Sequence, residues 1–226
     1  MLARLPPGVQ IFVLDAGSSD DTVAIARAHG ARVESRPWSG FVTARRYALG
    51  RVTTPWALML DADELIDETL REAILRSSDR VHGYRLRRVT MLCGRAVHAA
   101  GWSNERILRM MRTDRARVAG SRSGAPLHER WSVDGEVADL PGAILHDSYP
   151  TLSSYRAKFD YYTSVEAQAL PPSRRRYAGA LAMLPLRFAW SLLRYGGWRD
   201  GWRGPFVAWE SARYRVVVRS KALRRA

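Results

Sequence analysis

The hydrophobic pattern divides the first eighty residues into short apolar runs alternating with amphipathic stretches. Val9-Gln10-Ile11-Phe12-Val13-Leu14 is a strand-like run that breaks into an acid and turn chemistry, Asp15-Ala16-Gly17-Ser18-Ser19-Asp20-Asp21-Thr22. Residues 22–29 then predict a helix capped by the Ser/Asp cluster, and Gly30 stands where a helix C-cap glycine belongs. A short strand over 31–35, a helix over 40–51, a strand over 56–60 and a helix over 67–76 follow. Residues 81–150 are richer in strand patterns: 83–92 alternates, and later short runs are separated by Gly, Asp and Pro. From Tyr149 onward the pattern is helical, with Pro171-Pro172-Ser173 as a hinge. The order predicts an α/β fold, a mixed Rossmann-like sheet flanked by helices, with a helical C-terminal extension. Its compositional parts are 1–170 (1–80 and an acceptor half over 81–150) and 171–226.

Two of the strand ends carry the chemistry. Ala57-Leu58-Met59-Leu60 runs into Asp61-Ala62-Asp63-Glu64. Side chains alternate along a strand, so Asp61 and Asp63 can point the same way from its end. Two carboxylates projected there suit a hard divalent cation, Mg²⁺ or Mn²⁺, which keeps positions open for a substrate's phosphates. An acidic triplet after an apolar run also fits an exposed turn, and Asp15 alone fits a turn acid bonding its own backbone. Two strands delivering Asp at one edge favour the functional reading, because ligands of open α/β sheets bind outside the carboxyl ends of the strands.

Charge adds a second feature. The chain has 226 residues and a formal net charge of +14, unevenly placed. Residues 1–80 hold ten basic and eleven acidic side chains, whereas 174–226 hold thirteen basic ones against only Asp200 and Glu210. The same tail holds four of the eight tryptophans: Trp190, Trp198, Trp202 and Trp209. Arg and Trp on an apolar background suit a membrane interface, with rings at headgroup level and guanidinium groups on lipid phosphates. Pro185 and Arg187 interrupt the apolar stretch 177–195, which falls short of the ~20 uninterrupted apolar residues of a span. The tail is therefore expected to lie on the membrane, although a solvated basic helix pair packed on the body is the simpler alternative. No nucleic-acid-binding motif accompanies the charge, so nucleic acid is not an expected partner. The single cysteine, Cys93, excludes a disulfide framework and suits a reducing cytoplasm. The opening residues 1–8 read as a Pro/Gly-rich lead-in to a strand without a secretory leader.

The order Val-Leu-Asp-Ala-Gly-Ser-Ser-Asp-Asp-Thr, Ala-Arg-Ala-His-Gly-Ala, Trp38-Ser39-Gly40-Phe41 and Leu60-Asp61-Ala62-Asp63-Glu64 resembles the family 2 glycosyltransferases. The likeness is greatest to the lipopolysaccharide-core branch. It continues through Gly94-Arg95-Ala96-Val97-His98, Gly101-Trp102, Arg106-Ile107-Leu108-Arg109-Met110, Leu127-His128-Glu129, Leu145-His146-Asp147-Ser148-Tyr149, Asp200-Gly201 and Gly204. It spans nearly the whole chain in order. Members usually begin with a further strand and helix of roughly thirty residues, and this chain starts at what is normally the second strand.

The resemblance implies a GT-A-like fold and an inverting transfer of a sugar from a nucleotide-diphosphate donor to a lipid-linked or lipopolysaccharide-core acceptor. By that resemblance Asp15, Gly17, Ser18, Asp61, Arg106 and Arg109 contact the nucleotide-sugar, the arginines through forks that match phosphate oxygens. Asp61 and Asp63, with His146 as a further candidate, hold the divalent cation. Glu129 matches the family's catalytic base, with His128 orienting it, and Trp102 can stack on an acceptor sugar. The implied location is cytoplasmic, peripheral at the inner face of the plasma membrane, with an anionic membrane surface as partner. The alternative is a truncated, catalytically impaired relative that binds membrane or a partner protein through its tail.

Overall fold

The structure of the protein, a computed structural model, describes residues 1–120 and 129–225. A 3-10 turn (Leu2–Arg4) leads into β1 (Phe12–Asp15), α1 (Thr22–Ala28), β2 (Arg32–Ser35), α2 (Phe41–Leu49), β3 (Trp56–Leu58), β4 (Glu64–Ile66) and α3 (Glu68–Leu75). Then come β5 (Gly83–Leu92), β6 (Arg95–Ala96), a 3-10 turn (Ala99–Gly101), β7 (Glu105–Arg112), β8 (Ala116–Gly120), β9 (Glu129–Val133) and β10 (Val137–Tyr149). The remainder is α4 (Leu152–Gln168), α5 (Arg174–Ala182), α6 (Leu184–Arg194), a 3-10 turn (Gly197–Asp200) and α7 (Arg203–Arg224). The chain forms two compact units, Met1–Arg87 with Arg106–Ile144, and Arg88–Glu105 with Leu145–Ala226.

In the first unit β1 and β2 pair in parallel, placing Asp15 opposite Ser35. The larger sheet runs β3-β7-β5-β10-β4, with β3 and β7 antiparallel and Trp56 opposite Arg112. This mixed α/β arrangement is the one expected of a GT-A fold. Among the described residues β1 pairs only with β2 and β3 only with β7, so each has an open edge. The core of the unit is built from Ile66, Leu70, Tyr84, Leu86, Met110 and Ile144. Leu70, Leu86 and Ile144 are fully buried. Each such side chain contributes about 1.5–3 kcal/mol through removal from water.

The sequence pattern located β1, α1, β2, α2, β5 and α3 to within a few residues. It missed β4, assigning no element between the strand over 56–60 and the helix over 67–76. Glu64 and Ile66 are both buried, while Leu65 between them is half-buried, a period of two set by pairing against β10. Asp67 ends that strand and caps α3, its carboxylate accepting the Leu70 N–H at 2.8 Å. Gly142 (φ +86°) lets β10 pass this helix start, since a Cβ there would sit 2.2 Å from the Leu70 nitrogen.

The second unit packs Leu92, Val97, Ala99, Tyr155 and Val207 into its own core. Helix α7 buries Gly204, Ala208 and Ala212 at four-residue spacing, a narrow stripe that admits close neighbours. Asp200 is the local organiser: its carboxylate accepts the N–H groups of His98 (2.8 Å) and Ala99 (2.9 Å) and lies 2.8 Å from His98 Nδ1. It thus caps the 3-10 turn at Ala99. The apolar stretch after the 171–173 hinge forms two helices that break at Met183, just before Pro185. Among the described residues no helix is long and apolar enough to cross a membrane.

Candidate functional site

At the carboxyl end of β1 the chain turns on Asp15. This carboxylate is 6% exposed and accepts the Gly17 N–H at 3.0 Å, the Ser18 N–H at 3.2 Å and the Ser18 hydroxyl. The Ser18 hydroxyl bond, stronger than the opposing effect of burial, holds the Asp15 carboxyl below the ordinary range, and the two backbone N–H groups act in the same sense. Gly17 takes φ +104°, which a residue with a Cβ rarely adopts. Asp15, Gly17 and Ser18 are therefore one rigid turn, with the acid oriented by its own backbone.

The Asp61–Glu64 turn after β3 is built differently, from partners distant in sequence. Arg45 of α2 pairs with Asp61 Oδ1, and Arg109 of β7 donates from Nη2 to Asp61 Oδ2 at 2.9 Å. The same Arg109 nitrogen donates to Glu64 Oε1 at 3.0 Å. Glu64 Oε2 in turn accepts the Asp61 N–H at 3.0 Å, and the Glu64 N–H bonds the Asp61 carbonyl at 3.0 Å. Glu64 is fully buried and the Arg109 side chain is 6% exposed. Burial raises the Asp61 pKa, but the guanidinium groups of Arg109 and Arg45 outweigh it and hold the carboxyl below the usual range. Asp61, Asp63 and Glu64 stand as three carboxylates against two arginines, formally −3 + 2 = −1, in a turn whose shape the ion pairs fix.

Arg45 and Glu64 are the functional-site residues that sequence reasoning missed. Glu64 stands beside the Asp-x-Asp pair, yet only the alternating burial of β4 marks it as an inward-facing acid. Arg45 has no signal beyond its place in an amphipathic helix. Of the sequence-selected residues, Asp61 and Arg109 are joined directly, and Asp63 sits half-buried in the same turn. Arg106 is half-exposed, 3.4 Å from Asp139. Glu129 begins β9, its backbone opposite Gly120, and His128 lies outside the described residues.

Trp102 and His146 belong to the second unit. Trp102 stacks on Tyr149 (5.3 Å between centroids) and, with Tyr155, Tyr162 and Tyr214, lines a cleft of about 280 Å³. Burial pushes the Tyr149 hydroxyl up to about 12, so it stays a neutral hydrogen-bonding group beside the aromatic faces. The His146 ring lies 2.9 Å from Ser148 Oγ. Among the described residues no group of three or more His, Cys, Asp or Glu is arranged to hold a metal ion. A cation of the Mg²⁺ class needs fewer protein ligands than that, since one or two carboxylates plus substrate phosphates and water suffice. The oxygen-only donor set of Asp61 and Asp63 fits that requirement.

Residues 1–83 match the sequence model of the family described as glycosyl transferase family 2. The chain is 28% identical, over 96% of its length and 83% of the relative's, to the lipopolysaccharide core biosynthesis glycosyltransferase LpsC of Rhizobium meliloti (strain 1021). It is 24% identical to the uncharacterized glycosyltransferase RT0209 of Rickettsia typhi (strain ATCC VR-144 / Wilmington), over 75% of this chain and 61% of that one. A shorter match, 34% identical over 36% of this chain and 31% of the relative, is to the uncharacterized glycosyltransferase RC0292 of Rickettsia conorii (strain ATCC VR-613 / Malish 7).

Proposed function

We propose that the chain, whose residues 1–83 match glycosyl transferase family 2 and which is similar along its length to a lipopolysaccharide core biosynthesis glycosyltransferase, is a member of that family and moves a sugar, with inversion, from a nucleotide-diphosphate donor to a lipid-linked or lipopolysaccharide-core acceptor. The observation that carries this reading is the Asp61–Glu64 turn, a preorganised charged turn at the carboxyl end of β3. Preorganised charge lowers a transition state because nothing needs to reorient as charge develops. Asp15, fixed by its own turn, takes the nucleoside. Arg109 and Arg45 hold Asp61 in place and put positive charge beside the carboxylates. Asp63, with Asp61 beside it, would hold the divalent cation, which when bound supplies Lewis-acid neutralisation of the leaving diphosphate. Glu129 takes the proton of the acceptor hydroxyl by resemblance, as a carboxylate general base. Trp102 offers a ring face for an acceptor sugar in the aromatic cleft of the second unit.

The second unit also supports a peripheral place at the inner face of the plasma membrane. Of the fourteen large apolar side chains exposed among the described residues, eight lie between Leu181 and Trp209, so the apolar surface is concentrated in the basic tail. Leu193 (68% exposed), Trp190 (61%) and Trp198 (59%) are the extremes. An interfacial surface of this kind brings the enzyme to a lipid-linked acceptor.

The test is transfer of label from a panel of nucleotide sugars to purified rough lipopolysaccharide in the presence of Mg²⁺. Incorporation by the native protein, lost in Asp63→Ala and in Glu129→Gln, is the expected outcome. A folded protein that transfers from none of the donors to a lipid acceptor contradicts the reading.

A further inference from the structure

Helices α6 and α7 enclose a cleft of about 610 Å³ in the second unit. One wall is apolar: Met183, Leu186 and Trp190 recur at helical spacing, and Leu186 and Trp190 are 59% and 61% exposed. Beside this stripe the lining carries Arg187 and Ser191, four residues apart on α6, and Arg215 of α7. Ser191 is 7% exposed and, among the described residues, its hydroxyl has no hydrogen-bond partner, and neither does the buried Nη1 of Arg187. The charge of Arg187 is opposed by Arg215 and Arg219, and none of the three forms an ion pair among the described residues. Arg215 and Arg219, four residues apart on one helix, also repel each other.

A protein gains nothing in stability from such an arrangement. The buried Arg187 Nη1 without an acid is costly, and a buried hydroxyl without a partner adds to the cost. Both costs vanish if an anion with several oxygens enters the cleft, and a planar guanidinium fork matches phosphate best. The wall of Leu186 and Trp190 selects further, because a free inorganic anion has no use for it, whereas an amphiphile does. Trp190 at the rim is the side chain that favours the headgroup level of a bilayer.

We propose that the α6–α7 cleft is a specific site for the phosphate head of an anionic membrane lipid. Arg187, Arg215 and Ser191 receive the phosphate oxygens, and Leu186 and Trp190 lie along the glycerol and upper acyl chain. This rests on the membrane-surface reading above and sharpens it: one stoichiometric lipid is bound in a pocket, in addition to any diffuse attraction of the basic tail to an anionic surface.

The experiment titrates the full chain with monomeric dioctanoyl phosphatidic acid, below its critical micelle concentration, following tryptophan emission and heat. Dioctanoyl phosphatidylcholine and inorganic phosphate are parallel arms. The variants are Arg187→Gln/Arg215→Gln and, as a charge-matched control, Arg174→Gln/Arg175→Gln at exposed positions outside the cleft. Saturable one-to-one binding of phosphatidic acid is expected, weakened at least about tenfold by the first pair and within about twofold of native in the second. Melting of the first pair without ligand should be no lower than native, since like charges are removed, which separates lost binding from lost folding. Equal losses in both pairs, undiminished binding by the first, or equal affinity for inorganic phosphate or phosphatidylcholine each overturn the site. Flotation on phosphatidylglycerol vesicles reports the broader reading separately: native protein that floats but ignores monomeric phosphatidic acid contradicts the cleft alone. Protein that does neither contradicts both.

Discussion

In the first unit two arginines close on carboxylates, whereas in the second three arginines face one another with no acid among them. Arg45 and Arg109 are compensated inside the fold, so their charge is spent on shape. They fix where Asp61 and Glu64 stand, and Asp63 is carried in the same turn. Arg187, Arg215 and Arg219 are not compensated, so their charge is still available for a ligand. One residue type thus serves as a scaffold in one place and as a binding element in another, and what separates the two is whether an acid lies within reach.

The sharpest way to break this contrast is to remove the scaffold. Arg109→Ala removes the guanidinium that bonds both Asp61 and the fully buried Glu64 and should cost about 3–5 kcal/mol in urea denaturation. If the loss were no larger than that of an exposed ion pair, at most about 1 kcal/mol, the scaffold role would be lost. Arg187→Gln, by contrast, should leave the stability of the ligand-free protein unchanged or raise it by up to about 0.5 kcal/mol. A clear loss on that side would mean Arg187 has a structural partner after all.

Acid titration gives a second, smaller contrast. The Asp61 pKa is lower in the folded state than in the unfolded chain, so its contribution is fully present above the unfolded value of about 3.9 and fades as pH falls through the folded value. Asp61→Asn should therefore flatten the acid limb of the stability curve below about pH 4 and leave its slope between pH 5 and 8 unaltered. Asp15, also depressed, contributes in the same direction, so the limb should be reduced rather than abolished. The smallest effect concerns salt. Raising ionic strength should weaken vesicle flotation, driven by exposed charge, far more than the stability conferred by the largely buried Arg109 pairs of the first unit.

These particulars also show which features were visible in the chain. The Asp15 turn and the Asp-x-Asp pair were readable because each follows an apolar run directly, and Gly30 was readable because its φ of +76° ends α1 as a helix-terminating glycine does. The helix cap was partly visible: Asp20 bonds the Thr22 N–H, while Asp21 occupies the cap position without a side-chain bond. Local chemistry of this kind acts over a few residues and leaves a local mark. The Arg109–Glu64 pair spans 45 residues and the Arg187–Arg215 cleft 28, and no periodicity announces either. The same holds for the interleaving of the units, since residues 88–105 join the C-terminal helices through packing alone. The basic, Trp-rich character of the tail was plain from composition. That Trp190, Arg187 and Arg215 line one cleft was not.

The donor site is the claim on which the functional reading stands, and calorimetry addresses it most directly. UDP-sugars are titrated into native protein and Asp63→Ala, each with and without Mn²⁺. The account predicts binding by the native protein that depends on the metal and is abolished in Asp63→Ala, with both proteins melting alike. Binding that ignores both the metal and the substitution, or no binding by a folded native protein, would contradict it.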